Sequence, residues 1–205
     1  MGKNRLEAFS DGVLAIIITI MVLELRPPHE PNFTALRGLL SVFMSYVLSF
    51  VYLGIYWNNH HHLLHTVHSV SAGILWSNLH LLFWLSLFPF ATAWVGENRV
   101  ASAPAALYGF VLLMAAVAYY LLQRAIILRH GRKALLAEAL ASDWKGKLSP
   151  VIYLSAIPLA FVNPWISNAL YTFVACLWLI PDRRIEHAIE KHEKRAPSEA
   201  GLSGE

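Results

Sequence analysis

The sequence predicts an all-α, polytopic membrane protein with six transmembrane helices, and three observations carry that prediction. Apolar residues make up 57% of the 205-residue chain and charged residues only 14%, against roughly 45–50% and about 25% in soluble domains. The mean hydropathy is +0.49. Six apolar stretches, at 5–25, 34–57, 69–95, 103–127, 148–163 and 165–181, reach or approach the roughly 20 residues that cross about 30 Å of hydrocarbon. They run continuously apolar, without the alternation of barrel strands, which argues against a β-barrel. The composition also excludes a disordered, collagen-like or coiled-coil chain. A single cysteine, Cys176, excludes a disulfide framework or thiolate metal cluster within one chain.

The first stretch reads as a permanent helix. Glu7 and Asp11 stand where a cleaved signal would carry a basic region, and Glu24-Leu-Arg-Pro-Pro28 follows where small residues would mark cleavage. In the third stretch Pro89 should kink the helix. Trp94 and Trp144 read as interfacial aromatics. The fifth and sixth stretches are short and share the Asn163-Pro164 break, so they form either a tight helical hairpin or one re-entrant unit. A short linker helix is expected over Lys133–Ser142.

Orientation follows from the basic residues. Thirteen of the sixteen lysines and arginines precede or open the first span, lie from the end of the fourth span to the start of the fifth, or fall in the tail; the other three are Arg26, Arg37 and Arg99. The positive-inside rule then places both termini in the cytoplasm. The isoelectric point near 9.1 reflects this asymmetry and gives no reason to invoke nucleic acid. Two regions result: a transmembrane domain over 1–181, and a cytoplasmic tail over 182–205, rich in charge and ending in Pro, Ser and Gly, that is partly disordered.

Ionisable and polar groups inside spans are costly and therefore mark candidate sites. Asp11 lies about 9 Å along the first helix from Arg5; it is either an interfacial anchor or part of a site, and buried it needs donors. Past it, Ile16, Ile20 and Leu23 follow i, i+4, i+7 with Thr19 beside them. Such aliphatics also pack cores or face lipid, and the Thr19 hydroxyl can bond back to the preceding turn. The alternative is an apolar constriction with a hydroxyl ring inside a pore.

Five of the ten histidines fall between His60 and His68, in what reads as a cytoplasmic connection. His61, His65 and His68 share i, i+4, i+7 spacing that would suit zinc. No acidic residue lies nearby in the sequence to orient a ligand, so a polar role at helix ends is expected and no metal. In the third span Asn78 and His80 stand about 200° apart around a helix, as deep as Asp11 in the first span. One of the two is expected to hydrogen-bond the Ser10/Asp11 unit in a buried polar layer. The residues alone thus support an ion pathway, a proton-coupled secondary transporter through Asp11, His80 and the histidine cluster, or a metal or redox protein using His61, His65, His68 or His80.

The block Arg5-x-x-x-Phe9-Ser10-Asp11, the Ile-rich helix with its embedded Thr19, and the Trp57-Asn-Asn-His-His61 stretch together resemble the lysosomal potassium channel family of the transmembrane protein 175 type, in its single-repeat bacterial form. The resemblance implies a potassium-preferring cation channel without a carbonyl-type selectivity filter, in a prokaryotic plasma membrane. It implies a homotetramer whose first helices line the pore, with Ile16 as constriction, Ile20 and Leu23 beyond it, and Thr19 setting selectivity. Arg5, Phe9, Ser10 and Asp11 match a structural and gating motif, and Asn78 and His80 are candidates for its polar network. Potassium and other monovalent cations would be the permeant partners; no cofactor, no catalytic residue and no enzymatic activity are expected.

Overall fold

The computed structural model describes residues 2–28, 30–130 and 144–179. All regular structure among them is helical: α1 Lys3–Leu23, α2 Phe33–His65, α3 Ala72–Ser86, α4 Phe88–Glu97, α5 Ser102–His130, α6 Trp144–Leu159 and α7 Pro164–Leu179. Among the described residues four segments are long and apolar enough to cross a membrane, namely α1, α2, Ala72–Glu97 (α3 and α4 taken together) and Ser102–Arg129. Helix α7 is a shorter apolar helix; it and α6 have 16 residues each, about 24 Å at 1.5 Å per residue. The protein is an all-α polytopic membrane protein. The expected linker helix over Lys133–Ser142 and the tail over 182–205 lie outside the described residues.

Local chemistry explains the helix ends. The Asn32 side chain accepts a hydrogen bond from the Ala35 amide at 2.9 Å and starts α2. Ser71 caps α3 in the same way through the Ile74 amide at 3.3 Å. Pro89 lacks an N–H and its ring crowds the carbonyl four residues back, so the third span breaks at Leu87 into α3 and α4. The interruption falls two residues ahead of Pro89, where the sequence reading placed a kink. Asn163 accepts from the Trp165 amide at 3.0 Å, and Pro164 opens α7 where its missing N–H costs nothing. Of the two arrangements open for this pair, α6 and α7 form the helical hairpin, packed against each other across the Ala160–Asn163 turn.

Helix α2 departs from expectation. The sequence reading ended it at residue 57 and put the histidines in a connection; the helix runs on to His65, with the cap at Thr66. No proline or glycine interrupts Trp57–His65. Within it His60, Leu63 and Leu64 continue the buried stripe of Tyr52 and Leu53, so burial holds the last two turns helical. These turns lie beside the start of α1, where the Lys3 ammonium donates to the His65 carbonyl at 2.9 Å.

The core forms around α5, which packs against α3, α4, α6 and α7. Its buried face mixes small residues, Ala105, Ala115 and Ala118, with large ones, Leu112 and Leu122; small side chains let helices approach closely where lipid offers no hydrophobic drive. Buried tyrosines join the helices by hydrogen bonds: Tyr52 donates to the Tyr171 carbonyl at 2.6 Å, and Tyr171 to the Ala105 carbonyl at 3.1 Å. Thr92 donates to Ser49 at 2.6 Å, and Ser49 bonds the Tyr108 hydroxyl at 2.8 Å. By contrast α1 sits at the edge of the described bundle and packs chiefly on α2, α3 and α4.

Candidate functional site

Helix α1 has two faces. Leu6, Ser10, Leu14, Ile17 and Met21 are buried against the bundle. Arg5, Phe9, Ile16, Thr19, Ile20 and Leu23 are exposed on the single chain, Ile16 at 58% and Leu23 at 76%. At about 100° per residue, Ile16, Thr19, Ile20 and Leu23 fall within an arc of roughly 100°. The structure therefore places Ile16, Ile20 and Leu23, expected in a constriction, and Thr19, expected to set selectivity, on one uncovered stripe. The Thr19 hydroxyl donates to the Ile16 carbonyl at 2.9 Å. With its proton so used, the oxygen presents only acceptor lone pairs to what lies beyond the stripe.

The buried face is anchored by a chain of hydrogen bonds through three helices. His60 Nε2 of α2 bonds Asn78 Oδ1 of α3 at 2.7 Å. Asn78 Nδ2 donates to Ser10 Oγ of α1 at 2.9 Å, and Ser10 Oγ donates to the Leu6 carbonyl at 2.9 Å. Since the amide oxygen can only accept, His60 carries its proton on Nε2. All three side chains are buried, Asn78 and Ser10 at 0% exposure and His60 at 1%. Every member is paired, which a buried polar group in an apolar bundle requires.

Of the two polar residues of α3, Asn78 meets Ser10 and His80 does not. His80 Nε2 instead accepts from Trp84 Nε1 within its own helix at 2.9 Å. Asp11 lies outside the chain as well, its carboxylate accepting from the Trp57 indole at 3.1 Å. Arg5 is not the partner of Asp11; it stays exposed beside Phe9.

His60 was not singled out in the sequence, and neither was the Trp57–Asp11 pair. The signal for His60 was available: it lies seven residues after Leu53 and four before Leu64, in register with the buried stripe of α2. The zinc-like triplet is not assembled, because His68 follows the end of α2. In its place Glu7 of α1 stands with His61 and His65, their ligating atoms all within 4.8 Å of one another. An acid is thus nearby after all, delivered by a different helix.

Residues 5–89 match the family model described as endosomal/lysosomal potassium channel TMEM175, a segment that includes the Arg5–Asp11 block, Thr19, His60 and Asn78. The chain is 51% identical over 192 residues to a potassium channel of Chryseobacterium sp. (strain P1-3), covering 94% of this chain and 100% of that one. It superposes with a TM-score of 0.75 on the crystal structure of a lysosomal potassium-selective channel TMEM175 homologue from Chamaesiphon minutus, at 28% identity, over 87% of this chain and 96% of that one. The endosomal/lysosomal proton channel TMEM175 of Homo sapiens is 33% identical over 96 residues, 40% of this chain and 19% of that protein.

Proposed function

The chain belongs to the TMEM175 channel family, and from that membership we propose that it forms a potassium-preferring cation channel, a homotetramer in which α1 of each subunit lines a central pore. It is an ion channel and not an enzyme, and its chemistry calls for no cofactor. The observation that carries the finer reading is the uncovered stripe of α1, with Ile16, Thr19, Ile20 and Leu23 on one arc. One helix cannot enclose a pore; four copies related by closed cyclic symmetry can.

In that assembly four Ile16 side chains meet near the axis, and Ile20 and Leu23 extend the apolar lining over about 10 Å. A narrow ring of this kind expels water and so stops hydrated ions. Opening requires the rings to part until a water column forms. The sequence has no Thr-Val-Gly-Tyr-Gly loop, so no carbonyl cage replaces the hydration shell. Four Thr19 oxygens, with their protons turned to the Ile16 carbonyls, offer acceptors to a partly dehydrated cation. Potassium, held less firmly by its water than sodium, gains the modest preference.

Ser10 and Asp11 fasten α1 within its own subunit, through Asn78 and Trp57. Arg5 and Phe9, exposed on one chain, meet the neighbouring subunit. Residues 1–181 constitute the channel and 182–205 a cytoplasmic tail. The charge asymmetry puts both termini in the cytoplasm of a prokaryotic cell, with the channel in its plasma membrane.

Planar-bilayer recording under a potassium/sodium gradient tests this function. Currents should reverse towards the potassium potential, and Ile16→Asn should wet the constriction and raise conductance. Unchanged current in Ile16→Asn would take Ile16 out of the pore. Saturable, pH-coupled flux without channel currents would establish a transporter instead. The likeness to the human proton channel favours a second permeant ion, the proton, which a reversal potential that follows a pH gradient would reveal.

A further inference from the structure

Glu7, His61 and His65 come together where α1 begins and α2 ends, outside the pore-facing stripe. Their ligand-capable atoms lie within 4.8 Å of one another. The two imidazoles sit one turn apart on α2, ring centroids 4.9 Å apart. Across from them Glu7 is half-buried, and its Oε1 is fully buried with no hydrogen-bond partner among the described residues. A buried carboxylate oxygen left unpaired is costly, and it stands beside two imidazoles. Both helix ends are held in place around it. Ser10, one turn beyond Glu7, is bonded to Asn78; His60, next to His61, is bonded to the same residue; and Lys3 reaches the His65 carbonyl.

We propose that Glu7, His61 and His65 form a binding site for a first-row transition-metal dication of the zinc type, which when bound staples the start of α1 to the end of α2. Two imidazoles and one carboxylate are a common ligand set for zinc with one position left to water. His65 is exposed, which leaves that position open to solvent and supplies the entry path. Tetrahedral ligands about 2.1 Å from zinc stand about 3.4 Å apart, so the set closes by side-chain rotation without moving either helix. Nitrogen donors disfavour magnesium and calcium, which take oxygen. The bound ion also supplies the missing partner of Glu7 Oε1. The acid and the histidines are separated by more than fifty residues of sequence, so only the packing of α1 on α2 makes the set.

The test uses the untagged full-length protein in detergent, stripped with a chelator and titrated calorimetrically with Zn²⁺ alone, then with Mg²⁺ and Ca²⁺. Zn²⁺ should bind at one ion per chain in a site where Mg²⁺ and Ca²⁺ do not compete, and should raise the melting temperature. Glu7→Gln and His65→Gln should each weaken that site by on the order of 100-fold, at or above the loss seen when only supporting residues are removed. His62→Gln, outside the set, should leave it within about twofold. Glu7→Gln keeps the shape of the side chain, so an elution profile like that of the parent shows the fold is intact. Unchanged Zn²⁺ affinity in both ligand variants would overturn the proposal, and so would an absence of binding heat in the parent protein. Displacement of Zn²⁺ by Mg²⁺ at equal concentration would overturn the metal class. The readout is binding, so it stands apart from whether the protein conducts.

Discussion

Replacing Asn78 by alanine should destabilise the subunit more than any other single change in the polar layer. Asn78 is the middle member: its oxygen accepts from His60 at 2.7 Å and its nitrogen donates to Ser10 at 2.9 Å, at 0% exposure. Truncation leaves the His60 Nε2 proton without an acceptor in an apolar site, at a cost of about 1–3 kcal/mol. Loss of the bond to Ser10 adds about 0.6 kcal/mol, the mean for side-chain hydrogen bonds between membrane helices. Ser10→Ala is milder: it removes two bonds, the one from Asn78 Nδ2 and the one to the Leu6 carbonyl, but Asn78 still holds His60 and only its amide donor loses a partner, so the cost falls at the low end of the same range, about 1 kcal/mol. At about 2–4 °C per kcal/mol for a chain of this size, Asn78→Ala should lower the melting temperature by roughly 3–14 °C and Ser10→Ala by roughly 2–4 °C. Tryptophan fluorescence on heating the detergent-solubilised protein measures both, and the double variant should fall short of the sum of the two. A melting temperature for Asn78→Ala within a degree of the parent would show that the three-helix chain does not hold α1. So would full additivity of the pair.

Three further outcomes follow from the geometry. Thr19→Ala removes the hydroxyl oxygens from the proposed pore, and the potassium-to-sodium permeability ratio from bi-ionic reversal potentials should fall towards unity; a ratio that survives would clear Thr19 of any role in selectivity. Gly109→Ala sets a methyl group into the Tyr171 hydroxyl, which also donates to the Ala105 carbonyl; overpacking of this kind costs about 1–3 kcal/mol, whereas Gly73→Ala meets nothing closer than Ser71 Oγ at 3.8 Å and should leave the melting temperature unchanged or slightly raised. Trp57→Phe keeps an aromatic ring but withdraws the N–H from Asp11; at this half-exposed site about 1 kcal/mol should be lost. A loss no greater in an Asp11→Asn/Trp57→Phe double variant than in Trp57→Phe alone would show that the two act as a pair, and full additivity would show that they do not.

The division between what was legible and what was not runs along the range of the interactions. Span number and approximate position, the break ahead of Pro89 and the spacing that puts Ile16, Thr19, Ile20 and Leu23 on one face of α1 all rest on composition and on spacing within a helix, where residues three and four apart share a face whatever surrounds them. A proline breaks its own helix without outside help. The extension of α2 through His60 was legible in principle, since the buried stripe continues in register past Trp57, but the run of polar residues concealed it.

The choice of Asn78 over His80 had a different character. The two residues lie about 200° apart, and only the rotation of α3 about its axis brings one of them to Ser10, 68 residues away. Trp57 reaches Asp11 across 46 residues by the same kind of accident of rotation, and Glu7 meets His61 and His65 because two helix ends cross. The sequence by itself determined the helices, their order and the apolar and polar faces each one carries. Tertiary structure alone decided which polar groups pair, because rotation and axial shift of one helix against another arise from the packing of the whole bundle and leave no mark in the spacing of residues along either helix.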